Sequence, residues 1–387
     1  MSVLVRNLLA AIGGAGLLVL VSGLAIIPPA ASPPEQLSYR APEDPAPTPE
    51  TVLVSEINGA AEETSDSPTE KEETAPPPSD IEREQTQPEQ SPLPQRNTPP
   101  PIQSLPTETL NAISRESLVN ILCESNQSYL KSISGSGVII SESGIILTNA
   151  HIAQQLLLEE YTNLPIECVI RYGSPAKPHW KARLLYISPQ WVSVNAKSFL
   201  DSNPRGTGEN DFALLLIDEP LYPSVQTLPY SFLTPHTKAD PAPPGSTVLL
   251  AAYPAEFIGG SAARQALSIT TAVTTIKDVY TFSENIVDLL SLGSSVLAQS
   301  GSSGGAVVND QGKLVGLIVT TSEGTNTGTR DLRAITVEHI DRSLSEDTGI
   351  HLSDFANSPS DTLLSAQKAV HLKLAEDLVT YIKSRTR

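Results

Sequence analysis

From residue 107 onward, apolar positions come in short runs broken by Gly, Ser, Asn and Pro, with no single sustained period. Leu118–Leu122, Val138–Ile140, Gly144–Thr148, Cys168–Arg171, Phe212–Ile217, Val248–Ala252, Ala306–Val308 and Leu314–Thr320 have the length and the aliphatic, β-branched content of strands. Many short strands of this kind predict an all-β core, either a sandwich or a barrel. Two stretches follow a helical period instead. They are Thr107–Arg115 and Asp361–Lys383, the latter with Leu363, Leu364, Val370, Leu374, Leu378 and Ile382 recurring at helical spacing. Such a stripe predicts a helix laid against its own domain.

The first hundred residues follow neither pattern. Leu8–Ile27 is 20 residues without a charge, preceded by Arg6. At about 1.5 Å of rise per residue this spans roughly 30 Å, the depth of a bilayer's hydrocarbon core. The expectation is a transmembrane anchor, with a cleaved signal peptide as the competing reading. The apolar stretch is long for a signal, and prolines crowd the small residues where cleavage would occur. The positive-inside rule leaves residues 1–7 in the cytoplasm and places everything after Ile27 outside it. Residues 28–106 hold 19 of the 33 prolines, 15 acids, four bases and a single aromatic, Tyr39. Too little apolar area is present to offset the entropy of ordering, so this stretch predicts a disordered tether. As extended polyproline II it would reach roughly 245 Å.

Composition sharpens this division. The net charge is -18, of which the tether supplies 4 − 15 = −11. An acidic surface without a Lys/Arg cluster repels phosphate backbones, so nucleic-acid binding and polybasic membrane docking are excluded. Two cysteines are too few for a disulfide-built miniprotein or a four-cysteine zinc site.

The candidate chemistry begins at Gly301-Ser302-Ser303-Gly304-Gly305, followed by the apolar run Ala306–Val308. A nucleophilic serine needs a tight turn on which two backbone N–H groups converge, and side chains there would block an approaching carbonyl. A Gly/Ser-rich surface turn has the same composition, so the serine needs a base and a group to orient that base. His151 comes just after the run Gly144–Thr148, beyond Asn149 and Ala150, while His179 and His236 sit beside prolines and His339, His351 and His371 lie beyond the serine. Asp211 opens the most apolar run, Phe212–Ile217. A carboxylate at the mouth of a buried strand can hold an imidazole N–H and fix its tautomer. Asp201, in a polar loop, and Asp218, before Pro220, compete less well.

In that order, Gly135-Ser136-Gly137-Val138, Leu147-Thr148-Asn149-Ala150-His151, Asp211-Phe212-Ala213-Leu214-Leu215 and Gly301–Gly305 resemble the chymotrypsin-fold (trypsin-like) serine proteases, in particular the Deg/Htr type. Asn309–Leu317 looks like that family's hairpin after the nucleophile, and Arg333–Val337 like its closing strand. The likeness covers residues 117–341. It implies two six-stranded antiparallel β-barrels over residues 107–345, followed by a helical extension over 346–387. It implies a catalytic triad of His151, Asp211 and Ser303, an oxyanion hole from the N–H groups of Gly301 and Ser303, and no metal or organic cofactor. The implied substrate pocket is lined by Leu297, Ala298, Val319 and Thr320.

Some positions depart from the family pattern. Digestive relatives carry an aspartate before the nucleophile that pairs with a new amino terminus; Ser302 stands here, which points to control through the oxyanion loop. Leu297 at the pocket base brings no acid, so small or medium apolar side chains are favoured over Lys or Arg. The 47 residues from Asp341 are too few for a PDZ module. Residues 176–208 and 222–245 exceed the compact family core. Cys123 and Cys168 both fall in the first barrel, on runs that can be neighbours, and form either a disulfide or two buried thiols. The expected function is a membrane-tethered endopeptidase outside the cytoplasm, in the periplasm or at the cell surface. It would act on protein or peptide substrates in quality control or regulated proteolysis. The alternative is a silent barrel serving as a binding or adhesion module.

Overall fold

The apolar runs become the strands of two antiparallel sheets in the computed structural model, which describes residues 104–201, 207–225, 227–238, 242–282, 286–321 and 326–386. The expected anchor at 8–27 and the expected tether up to residue 103 lie outside the described residues. Among the described residues, no helix is long and apolar enough to cross a membrane.

The first sheet closes on itself. β1 (Leu118–Ser125), β2 (Ile133–Ile139), β3 (Ile145–Thr148), β4 (Ile166–Tyr172), β5 (Lys177–Ile187) and β6 (Ala213–Pro220) form a six-stranded barrel in the order β1-β2-β3-β6-β5-β4. β5 comes from the stretch at 176–208 for which the sequence suggests no role; its Pro178, His179 and Arg183 break the apolar run that marks the other strands. The strands are apolar on both sides because both sides are covered. Val119, Ile121 and Cys123 of β1 join one core cluster, whereas Leu118 joins another. On β6, Ala213, Leu215 and Ile217 belong to the first cluster and Leu214 to the second. A period of two therefore separates two buried faces.

The second sheet corrects the expectation of another closed six-stranded barrel. It holds β7 (Thr247–Ala252), β8 (Thr270–Thr275), β9 (Asp278–Tyr280), β10 (Leu289–Ser291), β11 (Ala306–Val308), β12 (Leu314–Thr321) and β13 (Leu332–Thr336), in the order β8-β7-β11-β12-β13-β10-β9. Its two edge strands are consecutive in the chain, separated only by Ile276 and Lys277. The N–H of Ile276 donates to the Ser246 carbonyl next to β7, and that of Lys277 to the Ser291 carbonyl of β10. One stretch thus changes partner mid-course. The sheet curls into a barrel-like form, but its ladder is interrupted at that point.

Among the described residues, seven α-helices surround the sheets: α1 (Thr107–Glu116), α2 (Ala150–Tyr161), α3 (Pro189–Asn195), α4 (Gly259–Gln265), α5 (Val337–Thr348), α6 (Leu352–Asn357) and α7 (Ser360–Arg385). Immediately before α1, the Leu105 N–H donates to the Asp310 carbonyl at 2.7 Å, which seats the start of the domain on the β11–β12 hairpin. α7 buries Leu374, Ala375, Leu378 and Ile382 in the same cluster as Ile152, Ala153 and Leu156 of α2. Between them, the fully buried His371 meets the Tyr161 ring edge-on at 5.4 Å. The C-terminal helix is therefore a brace for α2, whose first turn carries His151.

Cys123 and Cys168 face each other across β1 and β4 and are joined by a disulfide that closes a loop of 45 residues. By the chain-entropy relation, a loop of this length restricts the unfolded chain by about 4 kcal/mol. The Cys123→Ser/Cys168→Ser double variant is expected to lose about that much in denaturant unfolding. An unchanged unfolding midpoint would show that the cross-link contributes nothing.

Candidate active site

His151 is the second residue of α2, and Asp211 lies just before β6. β3 and β6 pair from Ile145↔Leu216 to Thr148↔Ala213, so the two residues leave adjacent strand ends on the same side. Asp211 then makes two bonds to one residue. Its Oδ2 lies 2.8 Å from His151 Nδ1, and its Oδ1 accepts the His151 backbone N–H at 2.9 Å. The second bond satisfies one of the four N–H groups that a helix's first turn leaves unpaired, and it sets a carboxylate at the positive end of the helix dipole. Asn149 completes the grip by donating its Nδ2 to the Asp211 carbonyl at 2.8 Å. Asn210 reaches this geometry in a left-handed conformation, φ 56°, with its side chain held by Gln190 and Ser343. Asparagine tolerates that region better than most residues.

The imidazole is 29% exposed, the carboxylate 9%. Burial acts to lower the His151 pKa, but the Asp211 charge and hydrogen bond outweigh it and hold the group above its ordinary value. Because Nδ1 faces Asp211, Nε2 is the nitrogen left for other chemistry.

The loop Gly301–Gly305 is seated on the same end of the first barrel. The Ser136 N–H donates to the Ser303 carbonyl at 2.7 Å, and Ser136 Oγ donates to the Gly301 carbonyl at 2.8 Å. Ser136 Oγ also accepts the Tyr253 N–H, and the Ser136 carbonyl accepts from Thr148 Oγ1, three residues before His151. The neighbouring Gly135 has no room for a side chain: a Cβ there would lie 2.2 Å from Cδ1 of Ile152. The Gly135-Ser136-Gly137 phrase is therefore a seat, with one face on α2 and the other on the serine loop. Gly301 and Gly304 both have positive φ, at 92° and 82°. Among the described residues, neither the Gly301 nor the Ser303 N–H donates to an acceptor within the chain.

Among the described residues, two further His–Asp pairs are present. His339 Nδ1 is 3.0 Å from Asp288 Oδ1, but burial holds its pKa below the ordinary value and Arg342 shares the same carboxylate. His351 pairs with Asp341 at 2.9 Å on the C-terminal helices. Among these pairs, His151–Asp211 is the one tied to the glycine-flanked serine, through Thr148 and Ser136.

Residues 135–317 match the family model of the trypsin-like peptidase domain. The chain has a trypsin-like peptidase domain, the domain of a serine endopeptidase. No curated protein matches it by sequence. Among solved structures, the peptidase is similar to Deg5, at 16% identity and a TM-score of 0.40, over 61% of this chain and 90% of that one. It is also similar to the HtrA-type protease AlgW with a tripeptide, at 18% and 0.41, over 62% of this chain and 64% of that one. The chain therefore spans under two thirds of the AlgW structure it matches. A third likeness, at 18% and 0.40, is to the active form of the Rv3671c protease from M. tuberculosis, over 66% of this chain and 93% of that one.

Of the expected pocket residues of the peptidase, Leu297 and Ala298 are fully buried in the second sheet's core beside Val248, Leu250 and Ile276. Val319 is buried in the cluster that also holds Leu214 and Phe212 of the first barrel, and Thr320 lies on β12. Ser302 is buried as well, and its Oγ has no hydrogen-bond partner. Among the described residues, no group of three or more His, Cys, Asp and Glu side chains is placed to hold a metal ion. Sequence reading gave no role to Ser136, Asn149, Glu256 or Arg330, all of which act on the site through backbone groups.

Proposed function

We propose that the peptidase cleaves protein substrates through Ser303, His151 and Asp211, outside the cytoplasm and tethered to a membrane by residues 8–27. The observation that carries the catalytic part is the pair of hydrogen bonds that the Asp211 carboxylate accepts from His151, on the barrel end that also seats the Gly301–Gly305 loop. Ser303 Oγ attacks the scissile carbonyl carbon while His151 Nε2 takes its proton. The resulting oxyanion lies against the N–H groups of Gly301 and Ser303. Collapse breaks the C–N bond, and His151 returns the proton to the departing amine. Water, deprotonated by the same nitrogen, then attacks the acyl ester and releases Ser303. Asp211 keeps the proton on Nδ1 and stabilises the imidazolium in both halves. The Cys123–Cys168 disulfide suits an oxidising compartment, and the 20 uncharged residues Leu8–Ile27 suit a membrane span.

A fluorophosphonate probe applied to the full-length chain tests the reading. A single adduct on Ser303, blocked by prior denaturation, is expected. No adduct at Ser303, with or without added unfolded protein, would leave a silent barrel.

The pH profile gives a second test. As a base, His151 works only when neutral, and its pKa is held above 6.5 by Asp211 against the effect of burial. Activity therefore rises with pH through an acid limb of kcat/KM centred above 6.5. In Asp211→Asn the charge is gone, so the residual limb moves to lower pH. A limb at or below 6.5 in the wild type would contradict the assignment.

A further inference from the structure

The loop that precedes Ser303 is held from behind by two charged residues far apart in sequence. Glu256 Oε2 accepts the Ser300 N–H at 3.0 Å, and the Ala255 N–H donates to the Ser300 carbonyl at 2.8 Å. Arg330 grips Glu256 with both arms, Nη1 to Oε2 at 2.9 Å and Nη2 to Oε1 at 3.1 Å, and Nη1 also donates to the Ala298 carbonyl at 3.0 Å. One carboxylate and one guanidinium thus join the segments around residues 255, 298–300 and 330.

Peptide planarity turns this into a statement about the site. The Ser300 carbonyl and the Gly301 N–H belong to one rigid trans unit and point in opposite directions. Fixing the carbonyl on Ala255 therefore fixes the direction of the Gly301 N–H. Gly301 is a glycine at φ 92°, so its own conformational preference does not resist rotation of that unit. Its back is walled off, since a Cβ would meet the Tyr253 carbonyl oxygen at 2.6 Å and Ala255 N at 2.9 Å. Ser302 does not hold the loop by its side chain, because its Oγ has no partner.

We propose that Glu256 and Arg330 are positioning residues that hold Ser300 against the segment around Ala255, so that the Ser300–Gly301 peptide keeps its N–H toward the oxyanion, an inference that rests on the peptidase reading above. Both are partly exposed, at 26% and 19%, so their effect is local to the loop and small for the fold as a whole. The Arg330 hydrogen bond first, and the Ser300 N–H with it, hold the Glu256 carboxyl below its ordinary range against partial burial. The latch therefore stays charged wherever His151 is neutral.

The test uses full-length Glu256→Ala, Arg330→Met and Glu256→Gln, with Glu124→Ala as a control that breaks the exposed ion pair with Arg264, away from the loop's own bonds. Loss of one oxyanion donor costs about 10²-fold or more in kcat. Glu256→Ala and Arg330→Met are expected to lose about 10²-fold in kcat with KM changed less than about threefold. Affinity for a peptide aldehyde, whose hemiacetal oxygen occupies the oxyanion position, falls in parallel. Glu256→Gln keeps an oxygen for the Ser300 N–H and falls between, at about tenfold. The control keeps wild-type rates. Wild-type kcat and aldehyde affinity in Glu256→Ala, or a loss confined to KM, would overturn the latch while leaving the peptidase intact. Absence of a Ser303 adduct in the wild type would remove the peptidase reading itself, and the latch with it.

Discussion

Ser303→Ala is expected to lower kcat by about 10⁶-fold and Asp211→Asn by about 10⁴-fold, each with KM changed less than about threefold. The two losses differ because the residues act on different parts of the barrier. Without the Ser303 hydroxyl there is no acyl intermediate, and only orientation and the N–H donors remain to help water. Without the Asp211 charge the attack still occurs, but the imidazole lacks the partner that fixes its tautomer. Here that partner is unusually well defined. The same carboxylate holds both the ring, at 2.8 Å, and the backbone N–H of His151, at 2.9 Å. Asparagine can accept from one of these donors, but its NH₂ faces the other. Either the helix start or the imidazole loses its acceptor, or the ring flips tautomer and presents a protonated Nε2 to the serine. The loss is thus electronic rather than a failure to fold, and the unfolding midpoint of Asp211→Asn is expected within a few degrees of wild type. Steady-state kinetics on an unfolded protein substrate, with Tm measured alongside, reads both. A Ser303→Ala variant retaining more than about one thousandth of wild-type kcat would place the nucleophile elsewhere.

The parts of the site that were legible in the sequence are those written in local runs. His151 ends an apolar run and Asp211 begins one, and the pairing of Thr148 with Ala213 brings those run ends together. The glycines around Ser303 mark a turn that tolerates no side chains, and the structure shows why in the contacts of Gly301 and Gly304 with backbone. What escaped the sequence is contact between distant segments. Glu256 and Arg330 are 74 positions apart, and Ser136 and Gly301 are 165 apart. Nothing in the composition around them announces either bond. Arg171 is a further case: fully buried, it donates to Asn120 and to the carbonyls of Ala263 and Arg264, tying the end of α4 to the first barrel. At the level of the fold, β5 was hidden by its proline and charges, β9 and β10 by their three-residue length, and α2 by a strand running almost directly into it. The second sheet departs from a closed ring at Ile276–Lys277, where one stretch serves two partners, a feature set by curvature rather than by local pattern.

Gly304→Ala is expected to destabilise the domain by about 3–5 kcal/mol and to abolish measurable turnover even where the protein remains folded. Two costs combine. At φ 82° the added methyl forces a left-handed conformation, which costs about 1–2 kcal/mol. The methyl would also lie 1.9 Å from the Ser136 carbonyl oxygen and 2.7 Å from Thr148 Oγ1. Neither neighbour can yield cheaply. The Ser136 carbonyl accepts from Thr148, and the Ser136 N–H holds the Ser303 carbonyl, so backing away from the methyl breaks the seat of the serine itself. The two costs can be separated. Gly245 has φ 92° with nothing within 4 Å of a Cβ, so Gly245→Ala bears only the conformational cost, about 1–2 kcal/mol, and keeps full activity. Gly260, inside α4 with open space and no positive φ, is expected to be neutral or slightly stabilised by alanine. Calorimetric Tm and kcat on the three variants therefore form a graded series. If Gly304→Ala matched Gly245→Ala in both, β2 would yield freely, and the close packing of the serine loop on Ser136 would have no part in holding Ser303 for attack.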